Sequence, residues 1–245
     1  MNITQWEPGA FELETNSVWS FPKHALWATH DTKYRGGCSP YAVRNLLLRY
    51  SSEGDLILDQ FAGGGTTLVE AKLLGRRSIG VDINPDAIEI CREKTAFDWP
   101  DSGKVAIQQG DARNLDSIQD ESIDFICTQP PYTNIIRYSK DMLGDISCMA
   151  IPLFLDAMKD AAAESFRVLK PGKFCAFLMC DTRKDKHIVP IGFEVLRLFE
   201  AAGFKTKEII IKKQKDYSVP AYWKSNSLQY NFLLIAHEYL FILSK

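Results

Sequence analysis

An α/β fold, with a largely parallel sheet covered by helices on both faces, is predicted by three features of the sequence. From about residue 55 onward, short apolar runs alternate with stretches of helical periodicity, the pattern of a doubly wound sheet. The helical stretches are bracketed by proline near their starts and glycine at their ends. With 245 residues, 46% of them hydrophobic and 24% charged, the chain suits one large soluble domain with ample core.

The elements follow in order. DLILD (Asp55–Asp59) is a short apolar run that ends near glycines and reads as a buried strand. TTLVEAKLLG (Thr66–Gly75) is a helix closed by glycine. RSIGVD is the second strand, ending at Asp82, and PDAIEICREK a helix with proline in its first turn. KVAIQQ (Lys104–Gln109) and SIDFICT (Ser122–Thr128) are the third and fourth strands. A long helix is predicted from about Ile151 to Leu169, with Leu153, Phe154, Ala157, Ala161 and Phe166 on one face. KPGKFCAFLMC supplies a turn and the fifth strand, and IGFEVLRLFEAAG a helix with a glycine stop. FKTKEIIIKK and NFLLIAHEYLFIL close the chain as two strands. No helix of apolar periodicity fits between that pair, so they are expected to be antiparallel. The aromatic stretch Trp6, Phe11, Trp19, Phe21 and Trp27 reads as a packing arm or dimer contact within residues 1–30. Residues 31–245 then form the main part of a single domain.

Composition narrows the classes of function. No apolar run approaches the roughly 18 residues a membrane-spanning helix needs. MNITQWEPGAFELE is acidic and lacks an apolar segment, so no secretory leader is expected and the location is expected to be cytoplasmic. Six cysteines show neither a CxxC pair nor a histidine cluster at metal spacing. They read as reduced thiols packed as small hydrophobes, with no metal site. The formal net charge of −2 neither advertises nor forbids nucleic-acid binding, because a local basic face suffices.

DQFAGGGTT (Asp59–Thr67) lies at the carboxyl end of the first strand, where open α/β sheets bind ligands. Three consecutive glycines let the backbone approach a ligand where any Cβ would clash. Asp82 ends the next strand about 20 residues later, where a ribose diol wants an acceptor. A ligand-free strand–helix turn is the plain alternative. A nicotinamide dinucleotide site fits poorly, because Thr66 breaks the GxGxxG pattern.

The stretch resembles the S-adenosylmethionine loop of the amino-methyltransferases that act on DNA, written D-P-F-x-G-S-G-T-T. Gln60 stands where that family has Pro and Gly64 where it has Ser; neither change removes the glycine turn. GVDINP is similar to the family's second-strand acid segment. GDARNL puts Asp111 where the family's adenine-facing acid sits, with a helix N-cap as the other reading of that residue. KYRGGCSPYAVRNLLLRY (Lys33–Tyr50) is similar to the segment that helps hold the methionine end. The resemblance implies a class I methyltransferase Rossmann-like sheet of seven strands, mostly parallel with an antiparallel last strand, and S-adenosylmethionine as cofactor. The cofactor contacts it implies are Lys33, Tyr34, Ser39, Asp59, Phe61, Gly63, Gly65, Thr66, Thr67, Asp82, Ile83, Asp111, Ala112 and Thr128.

FICTQPPYTN (Phe125–Asn134) drives the fourth strand into two prolines, which cannot donate to a sheet. TQPPY resembles the family's catalytic loop, [DNS]-P-P-[YFW], and its Thr-Ser-Pro-Pro-Tyr subset above all. An exocyclic amine is a poor nucleophile because its lone pair is delocalised into the ring, and acceptors on its N–H groups help it pyramidalise. The resemblance gives that duty to the side chain of Gln129 and the carbonyl of Pro130, held rigid with Pro131. It gives Tyr132 a flat face on which a flipped base stacks. A Pro-Pro turn with a core tyrosine is the plain alternative. Gln129 replaces Ser, Asp or Asn; its amide oxygen accepts a hydrogen bond but cannot take a proton as Asp does. Carbon-5 cytosine chemistry does not fit, since the chain has no Pro-Cys dipeptide.

Two segments are candidates for holding DNA. Lys205–Lys224 carries six lysines interleaved with Tyr217, Tyr222 and Trp223, a mixture suited to phosphate contact and stacking. From it come Lys212, Lys213, Lys215 and Trp223, with a solvated strand face as the alternative. TNIIRYSKDMLGD (Thr133–Asp145) offers Arg137 and Lys140. Small recognition insertions are thus expected near residues 133–148 and 212–228. The function implied is methylation of an exocyclic amine on a flipped DNA base. Cytosine N4 is favoured over adenine N6, because the long Gln129 takes room from a purine. RNA, a protein amide, or a catalytically impaired nucleic-acid binder are the alternatives. The resemblance further implies a restriction nuclease as partner, and a monomer or homodimer.

Overall fold

The computed structural model describes residues 3, 5–22, 25, 27–31, 34, 36–132, 142, 144–214 and 220–245. Its strands are β1 (Val18–Ser20), β2 (Leu56–Asp59), β3 (Arg77–Asp82), β4 (Val105–Gln109), β5 (Ile123–Thr128), β6 (Leu169–Met179), β7 (Thr182–Lys184), β8 (His187–Val189), β9 (Lys205–Lys213) and β10 (His237–Ser244). Its helices are α1 (Pro40–Tyr50), α2 (Thr66–Leu73), α3 (Pro85–Thr95), α4 (Ile151–Val168), α5 (Ile191–Ala201) and α6 (Ala221–Gln229).

The main sheet has the order β1-β9-β10-β6-β5-β2-β3-β4, and β7 pairs with β8 in a separate hairpin. β6, β5, β2, β3 and β4 pair in parallel, while β10 is antiparallel to both β6 and β9. The α/β expectation holds, with β10 as the reversed strand. Among the described residues the sheet has eight strands rather than seven. The extra one, β1, comes from the N-terminal arm and pairs parallel with β9, Val18 opposite Ile211 and Ser20 opposite Lys213. Three residues are too few to show a period in sequence.

Side chains of the central strands point alternately to the two faces, and each face has its own core. Leu58, Ile126, Phe177 and Phe241 join the apolar stripes of α4 and α5. Ile57, Phe125, Leu178 and Leu240 join α1 and the arm's Trp19 and Phe21. In α4 the stripe runs through Phe154, Ala157, Met158 and Ala161; Leu153, expected on it, is 59% exposed. It sits about 100° around the helix from Phe154, just off the buried face.

β9 and β10 are antiparallel as expected, but β10 starts at His237, and α6 lies in the connection. α6 buries none of its residues, so it has no apolar face to betray it. The arm is held by a buried carboxylate. Glu70, on α2, accepts hydrogen bonds from Trp27 Nε1 (2.7 Å) and Arg44 Nη1 (3.1 Å), with His30 Nε2 at 2.7 Å. Tyr34 lies against Gly63 and Gly64, and the Gly36 carbonyl meets the Gln129 side chain.

Candidate active site at the carboxyl ends of β2 and β5

The chain leaves β2 toward β3 on one side and meets β5 on the other, so the carboxyl ends of β2 and β5 flank a crevice. A cleft of about 950 Å³, counted to its open mouth, occupies that position. Phe61, Thr66, Ile83, Ala112, Thr128 and Pro131 are among the residues on its wall.

The glycine loop between β2 and α2 needs its glycines for different reasons. Gly63 and Gly65 have φ of +48° and +77°, a region that favours glycine. At Gly64, a Cβ would stand 2.8 Å from Cβ of Tyr34. Tyr34 lying over the loop thus accounts for Gly where the DNA methylases have Ser. Gln60, the other departure, is buried: its Oε1 accepts from Ser165 Oγ at 3.0 Å, tying the end of β2 to α4.

Asp82 ends β3 facing the loop. Its Oδ2 accepts the Gly63 N–H at 2.8 Å and its Oδ1 the Asn84 N–H at 2.9 Å. Burial raises its carboxyl above the usual range, against the pull of those N–H groups. Each oxygen keeps lone-pair capacity for a diol. Asp111 accepts the backbone N–H of Arg113 at 3.0 Å and pairs with its guanidinium. Burial raises this carboxyl, but the Arg113 hydrogen bonds outweigh it and hold it below the usual value. No helix starts after Asp111 among the described residues, so the N-cap reading is replaced by a tight turn. Ser39 precedes α1 with its Oγ buried and, among the described residues, without a hydrogen-bond partner.

Asp59 is buried, accepting from Thr128 Oγ1 at 2.7 Å and the Phe61 N–H at 3.2 Å, while Thr67 Oγ1 donates to the Cys127 carbonyl at 3.3 Å. Desolvation pushes its carboxyl from 3.8 to about 6, against the pull of the hydrogen bonds it accepts. A raised folded-state value favours the folded protein below about pH 4, and the advantage is lost as pH rises through 6. Replacing Asp59 with Asn removes the titration. Urea unfolding of the cofactor-free protein should therefore show the Asn variant gaining about 2 kcal/mol on the wild type between pH 4 and pH 8. A pH-independent difference would place the Asp59 proton elsewhere.

At the end of β5, Gln129 Nε2 donates to the Gly36 carbonyl (2.8 Å) and to Tyr132 Oη (2.9 Å), and Tyr132 Oη donates to Glu238 Oε1 (2.6 Å). Gln129 Oε1 is buried and has no hydrogen-bond partner among the described residues. Pro130 is buried behind it.

Three expectations change here. Tyr132 is no open platform for a base: it is 7% exposed, its ring is part of the core on the α4 face, and its hydroxyl is held by Glu238. The core-tyrosine alternative describes it. Lys212 is not a solvated phosphate contact, because it forms an ion pair with Glu238 on the neighbouring strand and its side chain is 14% exposed. Among the cysteines, Cys91, Cys127 and Cys175 pack as small hydrophobes, whereas Cys148 is exposed. Lys213 and Trp223 are exposed. Lys33, Arg137, Lys140 and Lys215 lie outside the described residues. Sequence reasoning missed Gly36, for which there was no signal, and Glu238, whose signal was one acid in the apolar run HEYLFIL.

A mostly parallel sheet with a reversed last strand, a glycine loop and an acid on the next strand define an S-adenosylmethionine-dependent class I methyltransferase fold. The chain belongs to the methyltransferase-domain family, whose model matches residues 51–226, and a model described as DNA methylase matches residues 7–93. A tRNA (guanine(10)-N2)-dimethyltransferase of Methanothermobacter thermautotrophicus is 34% identical over 141 residues, 50% of this chain and 41% of that protein. The Type II methyltransferase M2.DpnII of Streptococcus pneumoniae is 46% identical over 54 residues, 22% of this chain and 20% of that protein. The chain thus spans less than half the length of either. Among solved structures, an S-adenosylmethionine-dependent methyltransferase of Methanosarcina mazei superposes with a TM-score of 0.57 at 18% identity, over 82% of this chain and 96% of that one.

S-adenosylmethionine is the cofactor, and the cleft suits it. The positive-φ glycines leave a cradle that side chains would fill, Asp82 offers a fixed acceptor pair, and Ser39 Oγ is an unpartnered polar atom nearby. Among the described residues, no helix is long and apolar enough to cross a membrane.

Proposed function

We propose that the chain methylates an exocyclic amine of a nucleic-acid base, with DNA as substrate and cytosine N4 as target. The observation that carries the reading is Gln129 Oε1, a buried acceptor without a partner among the described residues, beside the glycine-loop cleft. Such an atom costs about 1–3 kcal/mol when left unpaired. A base amine would supply the missing donor. Bound S-adenosylmethionine supplies an electrophilic methyl group. The glycine loop, Asp82 and Asp111 orient it, with Tyr34, Ser39 and Thr66 alongside. Gln129 Oε1 and the Pro130 carbonyl accept the amine N–H groups and draw its nitrogen out of conjugation. Neither acceptor is a base, so the proton released from the amine leaves to water. The length of Gln129 favours a pyrimidine over a purine.

Lys213 and Trp223 are assigned to phosphate contact and stacking, and Arg137, Lys140 and Lys215 stay candidates for phosphate contact on the sequence alone. A cytoplasmic location, a companion restriction nuclease, a single-domain chain and a monomer or homodimer belong to the same reading.

One observation favours a second reading, methylation of guanine N2 in RNA: the tRNA (guanine(10)-N2)-dimethyltransferase matches over 141 residues, the Type II methyltransferase M2.DpnII over 54. The same two acceptors would serve that amine. Labelled cofactor with DNA, RNA and protein pools, followed by nucleoside mass spectrometry, separates the readings. N4-methylcytosine in DNA is expected. N6-methyladenine would refute the base, N2-methylguanine confined to RNA would establish the second reading, and label in protein alone would overturn both.

A further inference from the structure

We infer that a relay from Lys212 through Glu238 and Tyr132, acting together with the Gly36 carbonyl, fixes which end of the Gln129 amide faces the reacting amine, making Glu238 and Lys212 positioning residues. The inference rests on Gln129 being the acceptor.

A primary amide has two ends of similar shape and opposite function, so something must tell Gln129 which way to turn. The Gly36 carbonyl, 2.8 Å away, can only accept, and it holds one Nε2 hydrogen. Tyr132 Oη, 2.9 Å from Nε2, is ambiguous on its own, since a hydroxyl can donate or accept. Its role is decided by where its proton goes. Glu238 Oε1, at 2.6 Å, is a carboxylate oxygen and takes it. The hydroxyl must then present a lone pair to Gln129. Both Nε2 hydrogens are engaged, and Oε1 is left as the free acceptor.

Lys212 completes the logic. It stands directly opposite Glu238 in the β9–β10 register, and the two side chains, 14% and 9% exposed, form an ion pair. Without that cation the Glu238 carboxylate would be buried beside the tyrosine with no charge partner, a costly arrangement. Burial, and then the Glu238 charge, push the Tyr132 hydroxyl well above its ordinary value, so the proton stays on the tyrosine. Net stability gives no competing reason for the pair, because a buried ion pair is often no better than packed apolar residues.

The test compares full-length chains carrying Lys212→Met with Glu238→Leu, and the same pair with Tyr132→Phe added. The double variant buries no unpaired charge, but it frees the tyrosine proton to satisfy Gln129 Oε1. Its transfer rate at saturating substrate is expected to fall roughly tenfold, with cofactor affinity and KM within about twofold. Adding Tyr132→Phe removes the competing donor and is expected to raise the rate about threefold or more above the double. A merely structural role gives the reverse, each substitution lowering the rate further. A fully active double variant, or a triple no better than the double, overturns the relay. Should the double fail to fold, Glu238→Gln, alone and with Tyr132→Phe, carries the same comparison. If the wild type methylates no nucleic acid, the acceptor reading has failed instead. The relay is then judged from the Gln129 side-chain amide resonances, where unchanged hydrogen-exchange protection in the double variant refutes it.

Discussion

Gln129→Ala is expected to slow methyl transfer at saturating substrate by about a hundredfold or more, the loss typical of removing one group that stabilises a transition state. Three things disappear with the side chain: the free Oε1 acceptor, the donor to Gly36 and the donor to Tyr132. Only the first belongs to the reacting amine, so conservative variants separate them. Gln129→Ser restores an acceptor on a shorter arm and is expected to regain part of the rate. Gln129→Glu keeps the length but turns the Nε2 end into an acceptor facing the Gly36 carbonyl, so it should be as slow as Ala. Cofactor affinity, read by calorimetry, is expected to change little in all three. Single-turnover transfer is the deciding measurement, and an Ala variant at wild-type rate would remove Gln129 from the chemistry.

Asp82→Ala should weaken S-adenosylmethionine by roughly 2–3 kcal/mol, through two losses rather than one. The carboxylate is the proposed partner of the ribose hydroxyls. It also anchors the Gly63 N–H and the Asn84 N–H, so its removal loosens the glycine loop itself. Asp82→Asn keeps one acceptor oxygen and loses the charge, and it is expected to fall between Ala and wild type. Calorimetry on folded variants decides it. Equal affinity in all three would mean that the cofactor is held elsewhere.

Much of this was legible in the sequence, for identifiable reasons. β2 and β5 carry apolar residues on both faces and β3 on one, and each ends at glycine, acid or proline, so composition and punctuation together marked them. The glycine loop was legible because its backbone demands glycine at particular positions. What stayed hidden depends on pairing. β1 is strand only because β9 lies beside it, and α6 has no buried face to leave a periodic trace. Lys212 was misread for the same reason. In β9 it shares a face with the buried Ile210, but Ile209 and Ile211 on the other face are apolar too, so parity alone did not say which side was inward. Only the register that sets it opposite Glu238 reveals an ion pair. Tyr132 was legible as a motif residue and not as a buried one, because burial there depends on β10 arriving from the far end of the chain.

Those distant arrivals have a consequence for the order in which the molecule acquires its abilities. The loop and its acid are joined across 19 positions, whereas Gln129 reaches Gly36 across 93 and Tyr132 reaches Glu238 across 106. Closing the longest of these costs about 1.5 kcal/mol more chain entropy than closing the shortest. The grip on the cofactor is a local achievement, and the aim of the acceptor a global one. A chain still maturing is therefore expected to hold the methyl donor before it can direct it, and a lag of transfer behind cofactor binding during refolding is the signature. Until β10 is in place, the donor would be held by a molecule whose acceptor is not yet oriented.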